Sequence, residues 1–207
     1  MSLLTRRRAL LSAVNKGGLP SAYQQVEYLQ STGTQYIHTN IIPSNDVGFN
    51  IDISLNEIYQ DGFVFGVRHN SGDTRFALGR INALAYLGFG KIYDNTWYIE
   101  QNKFFTAKLN FLNSKLANID QKTPIKVPDI DIPFTEPLTL FGVYRIGALT
   151  PTQQRLKACK ISKGNNIVCD FVPCYRKSDN KAGMYDLVNG EFYTNDGTGE
   201  FILGGEV

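Results

Sequence analysis

Apolar and polar side chains alternate along most of this chain with a period of two, which is the pattern of β-strands that bury one face. Residues 47–55 give the clearest case, because every second side chain is apolar and those between are glycine or polar. Shorter runs with strand character lie at residues 26–30, 35–39, 62–67, 75–78, 83–89, 97–100, 104–111, 115–120 and 138–144. About a dozen short strands without an intervening helical period predict a two-sheet antiparallel sandwich.

The C-terminal quarter of the chain predicts two successive hairpins. Residues 155–161 and 167–172 flank a polar turn at 162–166. If that turn closes symmetrically, Cys159 lies opposite Cys169, and a cross-strand disulfide is geometrically possible. The alternative is that these residues and Cys174 are small buried thiols, which the odd cysteine count favours.

The second predicted hairpin joins residues 183–188 to residues 191–194. Asn189-Gly190 between them supplies the two positive-φ positions of a type I′ turn. A further turn at 195–199 leads to a last short strand at 200–203.

Residues 1–16 are the best helix candidate. Leucine and valine side chains recur there at a spacing close to seven, which places them on one side of a helix. We expect this side to dock onto a partner or to form an oligomer through Leu3, Leu4, Arg7, Leu10, Leu11 and Val14. The alternative is a frayed basic terminus. Gly17-Gly18 would end the helix, so the chain divides into a segment 1–18 and one sandwich domain at 19–207.

Length and charge exclude several classes of protein. A chain of 207 residues with 43% hydrophobic content supports one sizeable core. Four of its 21 basic residues and none of its 19 acidic residues lie in positions 1–18, so the rest carries 17 basic residues against 19 acidic ones. This balance argues against nucleic-acid binding. The apolar run at 9–14 is shorter than the core of a signal peptide, and no run is long enough to span a membrane.

Three stretches resemble a known family: LPSAYQQVEYLQSTGTQYI at 19–37, DFVPCYR at 170–176 and GMYDLVNGEFYTN at 183–195. They are similar to LamG-like, concanavalin A-like jelly-roll proteins of phages and prophages, often tail-fibre or virion-surface proteins. The segment LLTRRRA at 3–9 is similar to the leader that often precedes this module.

The resemblance implies an all-β, two-sheet antiparallel jelly-roll sandwich with a short N-terminal helix. The first and last strands of a jelly roll are neighbours, so we expect residues 35–39 to lie beside 191–194 or 201–203. The family is a fold with many binding roles and few defined sites.

Concanavalin-like folds also include glycan hydrolases, which place paired carboxylates in one cleft. The candidate pairs are Asp52 with Glu57, Asp129 with Asp131, and Asp186 with Glu191. The first pair faces opposite sides of a continuous strand, and the second lies in a proline-rich connection. The third would be cross-strand neighbours, which we interpret as a solvated pair. These arrangements favour a protein that is not an enzyme.

The sequence carries no strong metal or cofactor pattern. It has no paired C-x-x-C, and its two histidines stand alone. Asp46 and Asp73 lack the dense acidic spacing of a calcium loop. We therefore expect no metal and no cofactor.

The best binding candidate is an aromatic and amide cluster: Tyr93, Asn95, Trp97 and Tyr98. Aromatic rings beside amides commonly hold sugar rings. The alternative is that these aromatic residues fill the core.

These observations predict a non-enzymatic structural or adhesion protein of a bacteriophage particle, of the tail-fibre or head-fibre type. Its N-terminal helix would bind other virion proteins or form a homo-oligomer, with a trimer favoured. Its sandwich domain would bind cell-surface or mucosal glycans. A glycan hydrolase and a capsid decoration protein without a ligand are the alternatives.

Overall fold

The structure is a computed structural model that describes residues 18–55, 62–69, 74–81, 84–90, 92–110, 115–120, 122–129, 133–145 and 148–207. The predicted N-terminal helix lies outside these residues. The described residues form nineteen β-strands and no helix. No helix in this part of the chain therefore has the length and apolar character needed to cross a membrane.

The strands follow one another at short intervals, as the turn residues predict. Their bounds are β1 Tyr23–Gln25, β2 Leu29–Thr32, β3 Ile37–His38, β4 Val47–Leu55, β5 Gly62–Arg68, β6 Arg75–Ile81, β7 Leu84–Gly90, β8 Ile92–Tyr98, β9 Phe104–Asn110, β10 Leu116–Ile119, β11 Ile125–Lys126, β12 Thr139–Leu140, β13 Gly142–Arg145, β14 Ala148–Pro151, β15 Gln153–Lys163, β16 Asn166–Arg176, β17 Lys181–Asp186, β18 Glu191–Thr194 and β19 Ile202–Leu203.

The strands form two sheets. The larger, of eleven strands, runs β11-β10-β9-β4-β15-β16-β17-β18, with β1 beside β16 and β2 between β15 and β19. The smaller, of eight strands, runs β14-β13-β5-β6-β7-β8, with β12 beside β5 and β3 beside β12. The pairing is antiparallel except between β13 and β5. The predicted all-β antiparallel sandwich is therefore confirmed.

The core lies between the two sheets. Every second residue of β4, starting at Val47, is at most 5% exposed, so the predicted inward face is confirmed. The ring of Phe49 packs against Phe65 of β5 at 5.0 Å and against Phe76 of β6 at 6.0 Å between centroids. Each large apolar side chain buried in this way stabilises the fold by about 1.5–3 kcal/mol.

The beginning and the end of the described chain lie side by side, as a jelly roll requires. Strand β19 pairs with β2. The predicted partner of residues 35–39 is wrong, because β3 pairs with β12 of the smaller sheet. The turn after β18 takes that place: the Asp196 N–H donates to the Tyr36 carbonyl at 2.9 Å, and its carboxylate accepts from the His38 N–H at 2.8 Å.

The first C-terminal hairpin turns over two residues, Gly164 and Asn165, instead of five. Gly164 takes a φ of +56°, which suits glycine. A β-bulge farther along the hairpin shifts the register. Cys159 consequently lies opposite Phe171 rather than Cys169, so the symmetric alignment is wrong. All three cysteines are buried free thiols.

The second hairpin closes on the pair of Asp186 with Glu191, as predicted. The type I′ turn at Asn189-Gly190 is wrong, because only Gly190 has a positive φ, +71°. The turn spans four residues, and the Asp186 carboxylate accepts a hydrogen bond from the N–H of Val188 at 3.0 Å. This side-chain contact fixes a longer turn than the Asn-Gly dipeptide alone predicts.

Candidate functional site

The outer face of the larger sheet, which points away from the smaller sheet, carries rows of polar side chains across its central strands. Lys108 of β9 pairs with Asn50 of β4, which pairs with Lys160 of β15. Two residues farther along, Thr106 pairs with Asp52. Because alternate residues of these strands enter the core, the polar residues between them share the outer face.

Beside this face, at the corner where β8 of the smaller sheet leads into β9 of the larger sheet, the surface forms a depression of about 150 Å³ that we call the corner depression. Apart from the buried Ile99 and Phe105, the residues that line it are aromatic or charged: Tyr98, Glu100, Lys103, Phe104, Asp120 and Lys122. Tyr98 is 57% exposed. An open aromatic ring beside charged groups can hold a ligand that has one apolar face and several polar groups.

Hydrogen bonds fix the rim of the corner depression. Lys122 Nζ donates to the Tyr98 carbonyl at 3.0 Å. Lys103 Nζ contacts a carboxylate oxygen of Glu100 at 3.1 Å. The N–H of Thr106 donates to Asp120 Oδ1 at 2.8 Å. Lys122 and Asp120 are therefore held against the backbone of β8 and β9, whereas Lys103 and Glu100 form an exposed ion pair.

The ring of Phe104 extends the depression towards the centre of the face. Lys157 Nζ lies 4.0 Å from its centroid, within the range of a cation–π contact. The ring of Tyr28 lies at 6.1 Å between centroids, and the Arg155 guanidinium lies 5.1 Å from the Tyr28 centroid. Aromatic rings and cations thus alternate along this part of the face.

Asp52 lies between the aromatic part of the face and its lysine row. Burial raises the pKa of the Asp52 carboxyl above its usual value of 3.8. The nearby Lys157 lowers this pKa, and Asp120 raises it. The Asp52 carboxylate is therefore held in a position that is unfavourable to its charge.

Comparison with known proteins gives a match in structure but not in sequence. No family model and no curated protein matches the chain. The crystal structure of a "putative carbohydrate binding protein" from Bacteroides ovatus ATCC 8483 is similar to this one, with a TM-score of 0.58 over 87% of the chain. At 8% identity the likeness shows the fold alone. The match spans 60% of that protein's length.

The structure separates the residues of the predicted aromatic cluster. Trp97 is 7% exposed and belongs to the core, as its alternative interpretation requires. The next residue, Tyr98, is 57% exposed and lines the corner depression. Tyr93 and Asn95 lie in β8, where Tyr93 pairs with Gly88, and their side chains are outside the described part of the molecule. The docking residues Leu3, Leu4, Arg7, Leu10, Leu11 and Val14 also lie outside the described residues.

Within the described residues, the carboxylate pairs considered for hydrolysis do not face each other across a cleft. Asp186 is fully buried, so its interpretation as part of a solvated pair is wrong. Asp129 forms an ion pair with Lys115. Glu57 and Asp131 lie outside the described residues.

Side chains that could bind a metal ion are also far apart in the described ranges. No group of three or more His, Cys, Asp or Glu side chains there could hold a metal ion. Asp46 accepts a hydrogen bond from the Ser44 hydroxyl at 2.5 Å. Asp73 lies outside the described residues.

Sequence reasoning missed Phe104 and Asp120 as site residues. Phe104 could have been found, because Phe105, Ala107 and Leu109 set the inward phase of β9 and leave residue 104 on the outer face. Asp120 follows β10 and reaches the depression only through the pairing of β10 with β9. No local pattern marks that contact.

Proposed function

We propose that this protein is a non-enzymatic glycan-binding protein whose corner depression holds a sugar ring against Tyr98. The observation that carries the proposal is that Tyr98 is 57% exposed and lies among charged groups of the corner depression. The carbohydrate-binding name of the Bacteroides ovatus protein of similar fold supports it.

The chemistry of the corner depression suits a saccharide. The C–H groups of a sugar ring form an apolar face that packs on an aromatic ring, here Tyr98, and Phe104 lines the same depression. The hydroxyl groups of the sugar can donate to the carboxylates of Glu100 and Asp120. The ammonium of Lys122 can donate to sugar oxygens, because it lies at the same rim.

Binding measurements with two variants at one position test this assignment. Tyr98→Ala removes the ring, and we expect it to weaken binding of a glycan selected on an array by about tenfold, which corresponds to about 1.4 kcal/mol of lost contact. Tyr98→Phe keeps the ring and should bind within about twofold of the native protein. Val188→Ala, at a 49% exposed apolar residue in the β17–β18 turn, is the control. Equal affinities for native protein and Tyr98→Ala contradict the assignment.

We further propose that the glycan-binding domain belongs to a phage virion. The resemblance of residues 19–37, 170–176 and 183–195 to phage and prophage jelly-roll proteins supports this role. In this proposal residues 1–18 bind other virion proteins or form a homotrimer, and the sandwich domain faces outwards. Deleting residues 1–18 should leave a folded domain that no longer joins particles or oligomers. Unchanged assembly of the deletion variant contradicts the proposal.

Two other functions give different results in the same tests. A glycan hydrolase would turn over a polysaccharide, and no turnover by the native protein excludes it for the substrates tried. A capsid decoration protein would bind particles tightly and remain silent on the glycan array.

A further inference from the structure

A second concave region lies on the outer face of the larger sheet, between β4, β9 and the turn of the β15–β16 hairpin. We call it the hairpin cleft. Its volume is about 300 Å³, and its polar side chains are those of Asn50, Lys108, Asn110, Lys160, Ser162 and Asn165. Among the residues that line it in the described chain there is no carboxylate. The cleft therefore offers ammonium, amide and hydroxyl groups to a ligand.

The two lysines of the hairpin cleft differ in their partners. Lys160 Nζ forms an ion pair with Asp170 at 2.9 Å, so its charge is partly balanced. Lys108 is exposed and has no hydrogen-bond or ion-pair partner within the described residues. The cleft consequently keeps a positive charge that an anionic group can pair with.

Beside the hairpin cleft, the backbone leaves no room for a side chain at position 48. Gly48 lies between Leu109 and Ser162, both of which line the cleft. A Cβ at position 48 would approach the Leu109 carbonyl oxygen to 2.5 Å and Ser162 Oγ to 3.0 Å. On the other side, Ile167 is 49% exposed and gives the cleft an apolar wall. Apolar and polar contacts are thus both available to an occupant.

Strand β9 connects the hairpin cleft to the corner depression. Its outward residues are Phe104, Thr106, Lys108 and Asn110; the first lines the depression and the last two line the cleft. At a rise of about 3.3 Å per residue, Phe104 and Lys108 are about 13 Å apart. This span is longer than one sugar ring, so a ligand that reaches both regions must be an oligosaccharide.

We infer that the hairpin cleft binds the oxyanion of an acidic sugar in an oligosaccharide whose other end packs on Tyr98. This inference rests on the proposed glycan-binding function and specifies the class of glycan. The oxyanion is a carboxylate or a sulfate ester, since both match the ammonium of Lys108 and the amides of Asn50 and Asn165. The intervening Asp52 would accept hydrogen bonds from hydroxyl groups in the middle of the ligand.

The test compares three tetrasaccharides by calorimetry with the full chain: a neutral cello-oligosaccharide, an oligogalacturonate and a heparin-derived sulfated oligosaccharide. We expect the native protein to bind one or both acidic ligands at least tenfold more tightly than the neutral one. Lys108→Gln should remove this preference, and Lys108→Arg should retain it. The preference should shrink as the salt concentration rises.

Lys177→Gln is the matched control, because Lys177 is exposed and follows the far end of β16, about 30 Å from the cleft along the strand. It should retain the preference for acidic ligands. The acidic ligand whose affinity decreases more in Lys108→Gln, either the oligogalacturonate or the sulfated oligosaccharide, identifies the oxyanion as a carboxylate or a sulfate ester.

The outcomes separate this inference from the proposed function. If Lys108→Gln leaves the preference unchanged, or if neutral and acidic ligands bind equally, the inference is wrong while glycan binding stands. If Lys108→Gln removes the preference but Tyr98→Ala has no effect, the cleft is a site and the corner depression is not. If no glycan binds the native protein, both the inference about the hairpin cleft and the proposed glycan-binding function are wrong.

Discussion

Replacing Asp186 with alanine tests how the second C-terminal hairpin is held. The Asp186 side chain is fully buried at the end of β17. Its carboxylate accepts hydrogen bonds from the N–H of Asp170 at 2.9 Å and from the N–H of Val188 at 3.0 Å, and the Asn189 side-chain amide also donates to it. One side chain therefore joins β16, β17 and the turn that follows.

The expected cost follows from these bonds. A hydrogen bond to a charged group contributes about 1.5–3 kcal/mol, and a buried donor left without an acceptor costs about 1–3 kcal/mol. Because water can reach the turn once the carboxylate is gone, we expect Asp186→Ala to lower the free energy of unfolding by about 3 kcal/mol. For a domain of this size that corresponds to a decrease in Tm of about 6–12 °C.

Urea unfolding followed by circular dichroism measures this change, with Glu191→Ala as the matched control. Glu191 pairs with Asp186 across the hairpin but is exposed, so its replacement should cost less than about 1 kcal/mol. Asp186→Asn should fall between the two, because it keeps the shape but places an amide donor among donors. A loss below about 1 kcal/mol for Asp186→Ala, or equal losses for the two alanine variants, refutes the reasoning.

Three further predictions concern packing and ionisation. Gly183→Ala should destabilise the fold, because its Cβ would lie 2.3 Å from the Tyr193 carbonyl oxygen, whereas Gly18→Ala meets nothing within 4 Å and should be neutral in the same unfolding assay. Burial raises the pKa of the Cys169 and Cys174 thiols from 9.0 to about 12. Since the folded state then holds these protons more tightly than the unfolded chain, stability should fall as the pH rises from about 9 towards 12, and unchanged stability there contradicts the burial of these thiols. Asp52→Asn should raise stability at pH 7, and the gain should vanish below pH 3.8, because the raised pKa means that the charged form is disfavoured in the folded state.

The sandwich could be predicted from sequence because alternation and turn residues are local signals. Residues 47–55 show this well, since the strand and its inward face agree with the pattern. The same pattern predicts the orientation of Tyr98 in β8. Its neighbours Trp97 and Ile99 are apolar and enter the core, so Tyr98 lies on the outward face of the strand. Reading the aromatic residues as one cluster overlooked that neighbours in a strand face opposite sides.

The errors arose where side chains compete with backbone patterns. Asn189-Gly190 is a strong two-residue turn signal, but the Asp186 carboxylate binds the backbone inside the turn and lengthens it. Likewise, the side chains of Asn195 and Asp196 bind the backbone of Tyr36 and His38 in place of a strand. Such contacts depend on which segments the fold brings together, so local pattern cannot predict them.

The two ends of the larger sheet differ in a way that bears on function. Near β17, the buried Asp186 carboxylate is satisfied by hydrogen bonds, so its replacement should only cost stability. Near β9, Asp52 lies where burial disfavours its charge, and Lys108 has no partner within the described residues. The exposed ring of Tyr98 lies at the adjoining corner, where β8 of the smaller sheet leads into β9. Departures from the most stable arrangement are expected at functional sites. If Asp52 binds hydroxyl groups of the ligand, Asp52→Asn should raise stability and weaken binding of the neutral cello-oligosaccharide, for which no repulsion between ligand and carboxylate is relieved. A variant that gains stability and keeps full affinity for this ligand shows that Asp52 is not part of the proposed surface.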